Sequence, residues 1–210
     1  MPNRKSDHMN SAELSAANRR TIQGDSFGKA AAQYERGRPA YPEAALDWLL
    51  PLKPVRVLDL GAGTGKLTRQ IRDRHLDVVA VEPSAGMRLK LTESLPDVIA
   101  LDGSGEEIPL PDGAVDVVLV AQAWHWVDVE RAVGEVARVL SPGGRLGLLW
   151  NIRDEREGWV AELGKIIHRG VTTDMNSDRP TVGGPFLPIE RYDVDWVDHL
   201  SPERLLVPRV

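Results

Sequence analysis

Cysteine is absent from the 210 residues. That removes disulfides, thiolate metal sites and every mechanism that needs a cysteine nucleophile. No apolar run approaches the ~20 residues of a membrane helix, so no membrane partner is expected. An excess of positive charge is missing too. Twenty-six Lys and Arg stand against 31 Asp and Glu, a formal net charge of −5, which argues against a surface built to grip phosphate backbones. Residues 1–24 lack the apolar core of a signal peptide, which together with the missing cysteine leads to the expectation of a cytoplasmic protein. Internal repeats and low-complexity tracts are lacking. No grouping of His, Asp and Glu has metal-ligand spacing, so no metal is expected.

What is there reads as one α/β domain over residues 27–210, preceded by a mobile arm at 1–26. Apolar residues make up 42% and charged residues 27% of the chain, ordinary for a folded protein of one domain. Residues 55–60, 78–81, 98–101, 115–120 and 146–150 are short, rich in Val and Leu, and apolar on both faces, as strands of a covered parallel sheet are. Between them, residues 67–74, 85–94 and 129–140 carry apolar residues at helical spacing. Pro142-Gly143-Gly144 follows the last of these as its terminator. Residues 42–50 predict a helix with Pro42 in its first turn. Residues 156–169 predict another, with Trp159, Leu163, Ile166 and Ile167 as the buried stripe. Residues 170–188 read as a loop, and 189–197 as a one-faced strand on the alternation of Tyr192, Val194 and Trp196. The fold class is therefore a doubly wound, mostly parallel sheet with helices on both faces.

The strongest local signal is Val57-Leu58-Asp59-Leu60-Gly61-Ala62-Gly63-Thr64-Gly65, a buried strand running into three alternate glycines and then a helix. Glycines there allow a tight turn and let a ligand lie against the backbone. A phosphate-binding P-loop needs glycine five before Gly65-Lys66 and a hydroxyl residue after the lysine, but Leu60 and Leu67 stand there. The dinucleotide fingerprint needs a glycine three after Gly63, where Lys66 stands. The pattern that remains is Asp-x-Gly-x-Gly-x-Gly, and Glu82 follows the second strand 21 residues after Gly61, placed to accept ribose hydroxyls.

In these motifs the sequence resembles the class I S-adenosylmethionine-dependent methyltransferases. Gly103-Ser104-Gly105-Glu106-Glu107-Ile108-Pro109-Leu110 looks like that family's adenine loop, with Ser104 where many members carry Asp. Residues 111–118 match the approach to its fourth strand, and residues 138–146 the turn before its fifth. Residues 34–42, Tyr-Glu-Arg-Gly-Arg-Pro-Ala-Tyr-Pro, resemble a subgroup that includes trans-aconitate-type small-acid methyltransferases.

The resemblance implies S-adenosyl-L-methionine as cofactor and S-adenosyl-L-homocysteine as product. It implies a cofactor site of Asp59, Gly61, Ala62, Gly63, Thr64, Gly65, Glu82, Pro83, Met87, Ser104, Gly105, Glu106 and Ala121. Tyr34 or Arg38 would close on the methionine carboxylate. His125, in Ala121-Gln122-Ala123-Trp124-His125-Trp126 after the fourth strand, stands where a general base toward the acceptor would stand, or packs structurally; Trp124 and Trp126 are candidate walls.

The family's sheets have seven strands and only six candidates are present, so the C-terminal part reads as incomplete. The Asn/Asp-Pro-Pro-aromatic element of amino-group nucleic-acid methyltransferases is absent after the fourth strand. The expectation is methyl transfer to a small-molecule acceptor and not to nucleic acid. A non-catalytic cofactor-binding module and an NAD(P)-dependent oxidoreductase are the alternatives.

Overall fold

The structure, a computed structural model, describes residues 39–51, 55–168, 180 and 182–199. The expected N-terminal arm, Tyr34, Arg38 and most of the loop expected at 170–188 lie outside them.

Five strands form one sheet in the order β3-β2-β1-β4-β5, every neighbouring pair parallel. They are β1 (Arg56–Leu60), β2 (Asp77–Val81), β3 (Ile99–Leu101), β4 (Val115–Ala121) and β5 (Leu140–Leu149). Helices α1 (Glu43–Leu49), α2 (Lys66–Asp73), α3 (Ala85–Ser94), α4 (Val129–Val139) and α5 (Gly158–His168), with a 3-10 turn at Trp124–Trp126, complete the described elements. The strand order runs outward from β1 in both directions, so the β1/β4 boundary is the point where ligand crevices open in such sheets.

The alternation of strand side chains builds two cores. On one face Val57, Ala80, Val117 and Leu119 pack with Leu46 of α1, Leu67 and Ile71 of α2, and Leu91 of α3. On the other, Leu58, Leu60, Val79, Val118 and Val120 pack with Ala132, Val133 and Val136 of α4. The doubly wound parallel architecture expected from the sequence is thus present. No helix among the described residues is long and apolar enough to cross a membrane.

Four local expectations need correction. Pro42 is the N-cap of α1 and not a residue of its first turn. The fifth strand begins at Leu140, directly after α4, and not at 146. Val115 pairs with Leu140 and Val117 with Arg145, so Pro142-Gly143-Gly144 forms a bulge inside the strand, with Gly143 at φ +79°. Trp159 is 64% exposed, whereas its neighbour Val160 is buried; Leu163 is half-buried, and the side chains of Ile166 and Ile167 lie outside the described residues. Residues 189–197 make no strand. Tyr192 instead stacks on Trp48 of α1 with ring centroids 5.4 Å apart, so a side-chain contact anchors a segment that has no ladder partner among the described residues.

Candidate functional site

The carboxyl end of β1 turns through Gly61, Gly63 and Gly65, at φ +73°, +58° and +87°, a region open to glycine at no steric cost. The turn is tied to β2, because the N–H groups of Gly61 and Ala62 both donate to Val81 O, at 2.8 and 3.1 Å. Gly65 is the left-handed N-cap of α2, where a Cβ would meet Leu91 Cγ of α3 at 2.8 Å. A Cβ on Gly61 would meet Ala123 Cβ at 2.7 Å. These two glycines therefore serve the turn and its packing.

Strand alternation puts Asp59 on the face of Val57, beneath α2. It is 1% exposed, and Thr68 Oγ1 donates to its Oδ2 at 2.5 Å. Its Oδ1 is buried without a hydrogen-bond partner among the described residues. Burial raises its carboxyl from an ordinary 3.8 to about 7; the Thr68 bonds oppose the shift and the nearby Glu82 charge adds to it.

Glu82 follows β2 and is likewise buried. Its Oε2 accepts the Gly63 N–H at 2.8 Å and its Oε1 the Ser84 N–H at 2.9 Å. Burial pushes this carboxyl up, against the pull of those two N–H groups and of Arg88. Arg88 Nη1 donates to the main-chain oxygens of Glu82 and Pro83, at 2.7 and 2.8 Å, and pairs with Asp102 at 2.9 Å. The end of β2 is in this way joined to the start of the loop after β3.

A cavity at the mouth of the glycine turn is lined by residues 61–64, Asp59, Ala121 at the end of β4, and also Tyr41, Lys66 and Leu67. The structure thus brings Asp59, Gly61, Ala62, Gly63, Thr64 and Ala121 together, with Glu82 attached through Gly63. Pro83 is exposed just beyond, and Met87 is buried on α3; neither lines that cavity.

Ser104, Gly105 and Glu106 lie in the next loop. Ser104 Oγ accepts the Glu106 N–H at 3.3 Å, and Glu106 Oε1 accepts the N–H of Asp128, the N-cap of α4, at 2.7 Å. A Cβ on Gly105 would meet Val127 Cγ1 at 2.7 Å.

Beyond Ala121, Gln122 takes a left-handed φ of +57°, and its Nε2 donates to Asn151 O at 3.1 Å. Asn151 Nδ2 in turn donates to Ala40 O at 3.2 Å. A single 3-10 turn (Trp124–Trp126) follows. Trp124 is 3% exposed and belongs to the core, which ends its candidacy as a wall, whereas Trp126 is 42% exposed. His125 is exposed beside Trp126, with ring centroids 4.7 Å apart.

Tyr41 and Thr68 were not singled out from the sequence. Gln70 clamps Tyr41 by its main chain, its Oε1 accepting the Tyr41 N–H at 2.9 Å and its Nε2 donating to Tyr41 O at 2.7 Å. That clamp joins residues 29 apart and leaves no trace in local pattern. Thr68 had a signal: it is the polar member of the otherwise apolar stripe Leu67, Thr68, Ile71.

Against known proteins, residues 58–148 match the family described as methyltransferase domain. An uncharacterized methyltransferase of Mycobacterium tuberculosis is 59% identical over 181 residues, covering 86% of this chain and 74% of the relative. An uncharacterized methyltransferase-like protein of Schizosaccharomyces pombe is 42% identical over 143 residues, covering 66% of this chain and 56% of the relative. Among solved structures, a SAM-dependent methyltransferase of Thermotoga maritima superposes with a TM-score of 0.51 at 29% identity, covering 70% of each chain.

Proposed function

The chain belongs to the class I S-adenosylmethionine-dependent methyltransferases, and from that premise we propose that it methylates a small-molecule acceptor at the carboxyl edge of β1 and β4. The observation that carries the site is Asp59 Oδ1, a buried acceptor without a partner among the described residues, beside a cavity whose other wall is the glycine turn. A buried polar atom without a partner costs about 1–3 kcal/mol, and a cationic group in the cavity relieves that cost. The α-ammonium of S-adenosylmethionine is such a group, so the residues present fit the cofactor.

In this reading the glycine turn, residues 61–65, lets the cofactor lie against main chain at Gly61 and Gly63. Glu82 takes the ribose hydroxyls with the lone pairs that Gly63 and Ser84 leave free, and residues 104–106 border the adenine. Pro83 and Met87 flank the ribose end, and Ala121 faces the methyl group. Tyr41 stands at the mouth of the cavity, and Tyr34 and Arg38 precede it in the chain. When bound, the cofactor supplies a methyl group already activated by a positive sulfur. The protein's part is alignment and exclusion of water. His125 and Trp126 are exposed just past β4, and His125 takes up a proton where the acceptor has one to lose.

A small acceptor is supported by the net charge of −5 and by Ala121-Gln122-Ala123-Trp124-His125-Trp126 standing where nucleic-acid amino methyltransferases carry their Pro-Pro element. The likeness of residues 34–42 to the trans-aconitate type favours small organic acids. The test is transfer of a tritiated methyl group to a metabolite fraction and to total nucleic acid from the same cells. Label in the metabolite fraction is expected. Salt-sensitive label in nucleic acid alone overturns the acceptor class, and label in neither, with the cofactor bound, makes the protein a binding module.

A further inference from the structure

Residues 102–114 join β3 to β4 with no helix or strand of their own, yet they are fastened to α4 along most of their length. At the start of α4, Glu106 Oε1 accepts the Asp128 N–H at 2.7 Å. At its last turn, Arg138 spreads its guanidinium over the loop main chain. Nη2 donates to Ile108 O at 2.9 Å, and Nη1 to Leu110 O at 2.7 Å and to Asp112 Oδ1 at 2.9 Å. The main-chain oxygen of Arg138 accepts the Gly113 N–H at 2.9 Å.

Glu135 holds the guanidinium from the other side, accepting Nε at 2.8 Å and Nη2 at 2.8 Å. Its Oε2 also accepts the Ile108 N–H at 2.9 Å. Both main-chain polar groups of Ile108 therefore end on one ion pair, and the Ile108 side chain is buried. A planar five-donor fork serves two carbonyls and two carboxylates at once, which an ammonium does not. The Arg138 hydrogen bond holds the Glu135 carboxyl at about 2, so the pair stays ionised at any working pH. As a surface pair alone it would contribute little to stability; its donors are spent on placing one loop.

We propose that Arg138, oriented by Glu135, is a positioning residue for the cofactor's base: it holds residues 104–110 against α4 and so sets their contacts to adenine without touching it. This rests on the proposed cofactor site. It makes α4, a helix none of whose residues lines the glycine-turn cavity, part of base recognition. The other end of the loop has its own anchor, because Arg88 joins Asp102 to the main chain of Glu82.

The experiment titrates the full chain and its Arg138→Met and Arg138→Lys variants with three ligands. They are S-adenosylhomocysteine, 5′-methylthioadenosine, which keeps base and ribose but lacks the amino acid, and S-inosylhomocysteine, which replaces adenine by hypoxanthine. Arg138→Met is expected to weaken the first two by the same factor, about tenfold for a side chain that acts through its neighbours. S-inosylhomocysteine should lose less, so that the preference for adenine narrows, and Arg138→Lys should recover part of it. Equal losses for the adenine and hypoxanthine ligands overturn the proposal, as does a lowered melting temperature with unchanged affinities. Should Arg138→Met not fold, Glu135→Gln, which keeps an acceptor for the Ile108 N–H and removes the charge, decides by the same comparison. Failure of the unaltered chain to bind any of the three defeats the cofactor site itself, and this role with it.

Discussion

Glu82 Oε2 accepts the main-chain N–H of Gly63 at 2.8 Å. The acid after the second strand is thereby part of the glycine turn after the first, and the two motifs are one structural unit. β1 and β2 pair in register from Arg56/Asp77 to Leu60/Val81, so their carboxyl ends emerge side by side and the bond needs no distortion. A carboxylate that already accepts two N–H groups is fixed in orientation, with its remaining lone pairs available to a ligand.

Glu82→Ala is accordingly expected to act twice. It leaves the N–H groups of Gly63 and Ser84 without their acceptor and removes the proposed ribose ligand. Affinity for S-adenosylhomocysteine should fall by roughly 1–3 kcal/mol, the range for hydrogen bonds to a charged acceptor, and chemical-denaturation stability should fall with it. Calorimetry beside urea titration separates the effects. Lower stability with unchanged affinity would restrict Glu82 to holding the turn.

Gly61→Ala is expected to destabilise the chain before any ligand is added. About 1–2 kcal/mol comes from holding an L-residue at φ +73°, and the rest from the 2.7 Å approach to Ala123 Cβ. Ala123→Gly removes the second contribution and leaves the first. A double-mutant cycle in urea should therefore show the double variant to be more stable than the sum of the single changes predicts. Strict additivity would mean that the two Cβ positions do not compete.

Much of this was legible in the sequence. Short Val-rich runs alternating with helical stripes specify a covered parallel sheet, and alternate glycines after Asp59 mark the edge at which the structure has a cavity. What escaped was non-local. Alternation at Tyr192, Val194 and Trp196 fits a strand, but a strand exists only where a neighbour supplies hydrogen bonds. Here Tyr192 found a ring on α1 instead. On α5 the expected stripe fails at Trp159, which is exposed, while its neighbour Val160 is buried and Leu163 is half-buried. The Tyr41–Gln70 and Arg138–Ile108 contacts span 29 and 30 residues, and such pairings of side chain with main chain have no periodicity to find.

The titration of Asp59 gives a pH dependence of defined sign. Its carboxyl rises from 3.8 unfolded to about 7 folded, so between those values the native chain holds a proton that the unfolded chain has released. The stability contributed through this group therefore falls as pH rises across that window and levels off above it. Asp59→Asn should remove the fall, with a difference of a few kcal/mol between variant and parent at alkaline pH. Affinity for the cationic amino-acid end of the cofactor should run the other way and strengthen as Asp59 ionises, from about pH 6 to pH 8. A parallel pH dependence in the Asp59→Asn variant would assign both effects to another group.

The two tryptophans of Trp124-His125-Trp126 should separate stability from turnover. Trp124 is 3% exposed among the apolar residues beneath α4, and Trp124→Ala should cost roughly 3–5 kcal/mol by emptying core volume. Trp126 is 42% exposed, and Trp126→Ala should stay within about 0.5 kcal/mol of the parent. If the acceptor lies past β4, Trp126→Ala raises its KM and leaves S-adenosylhomocysteine affinity alone. His125→Asn then divides acceptor chemistries. A hydroxyl that must lose a proton should react about 100-fold more slowly or worse, while a carboxylate acceptor, with no proton to shed, should react at the parent rate. Unchanged kinetics in both variants with a confirmed acceptor would move the acceptor site off this turn.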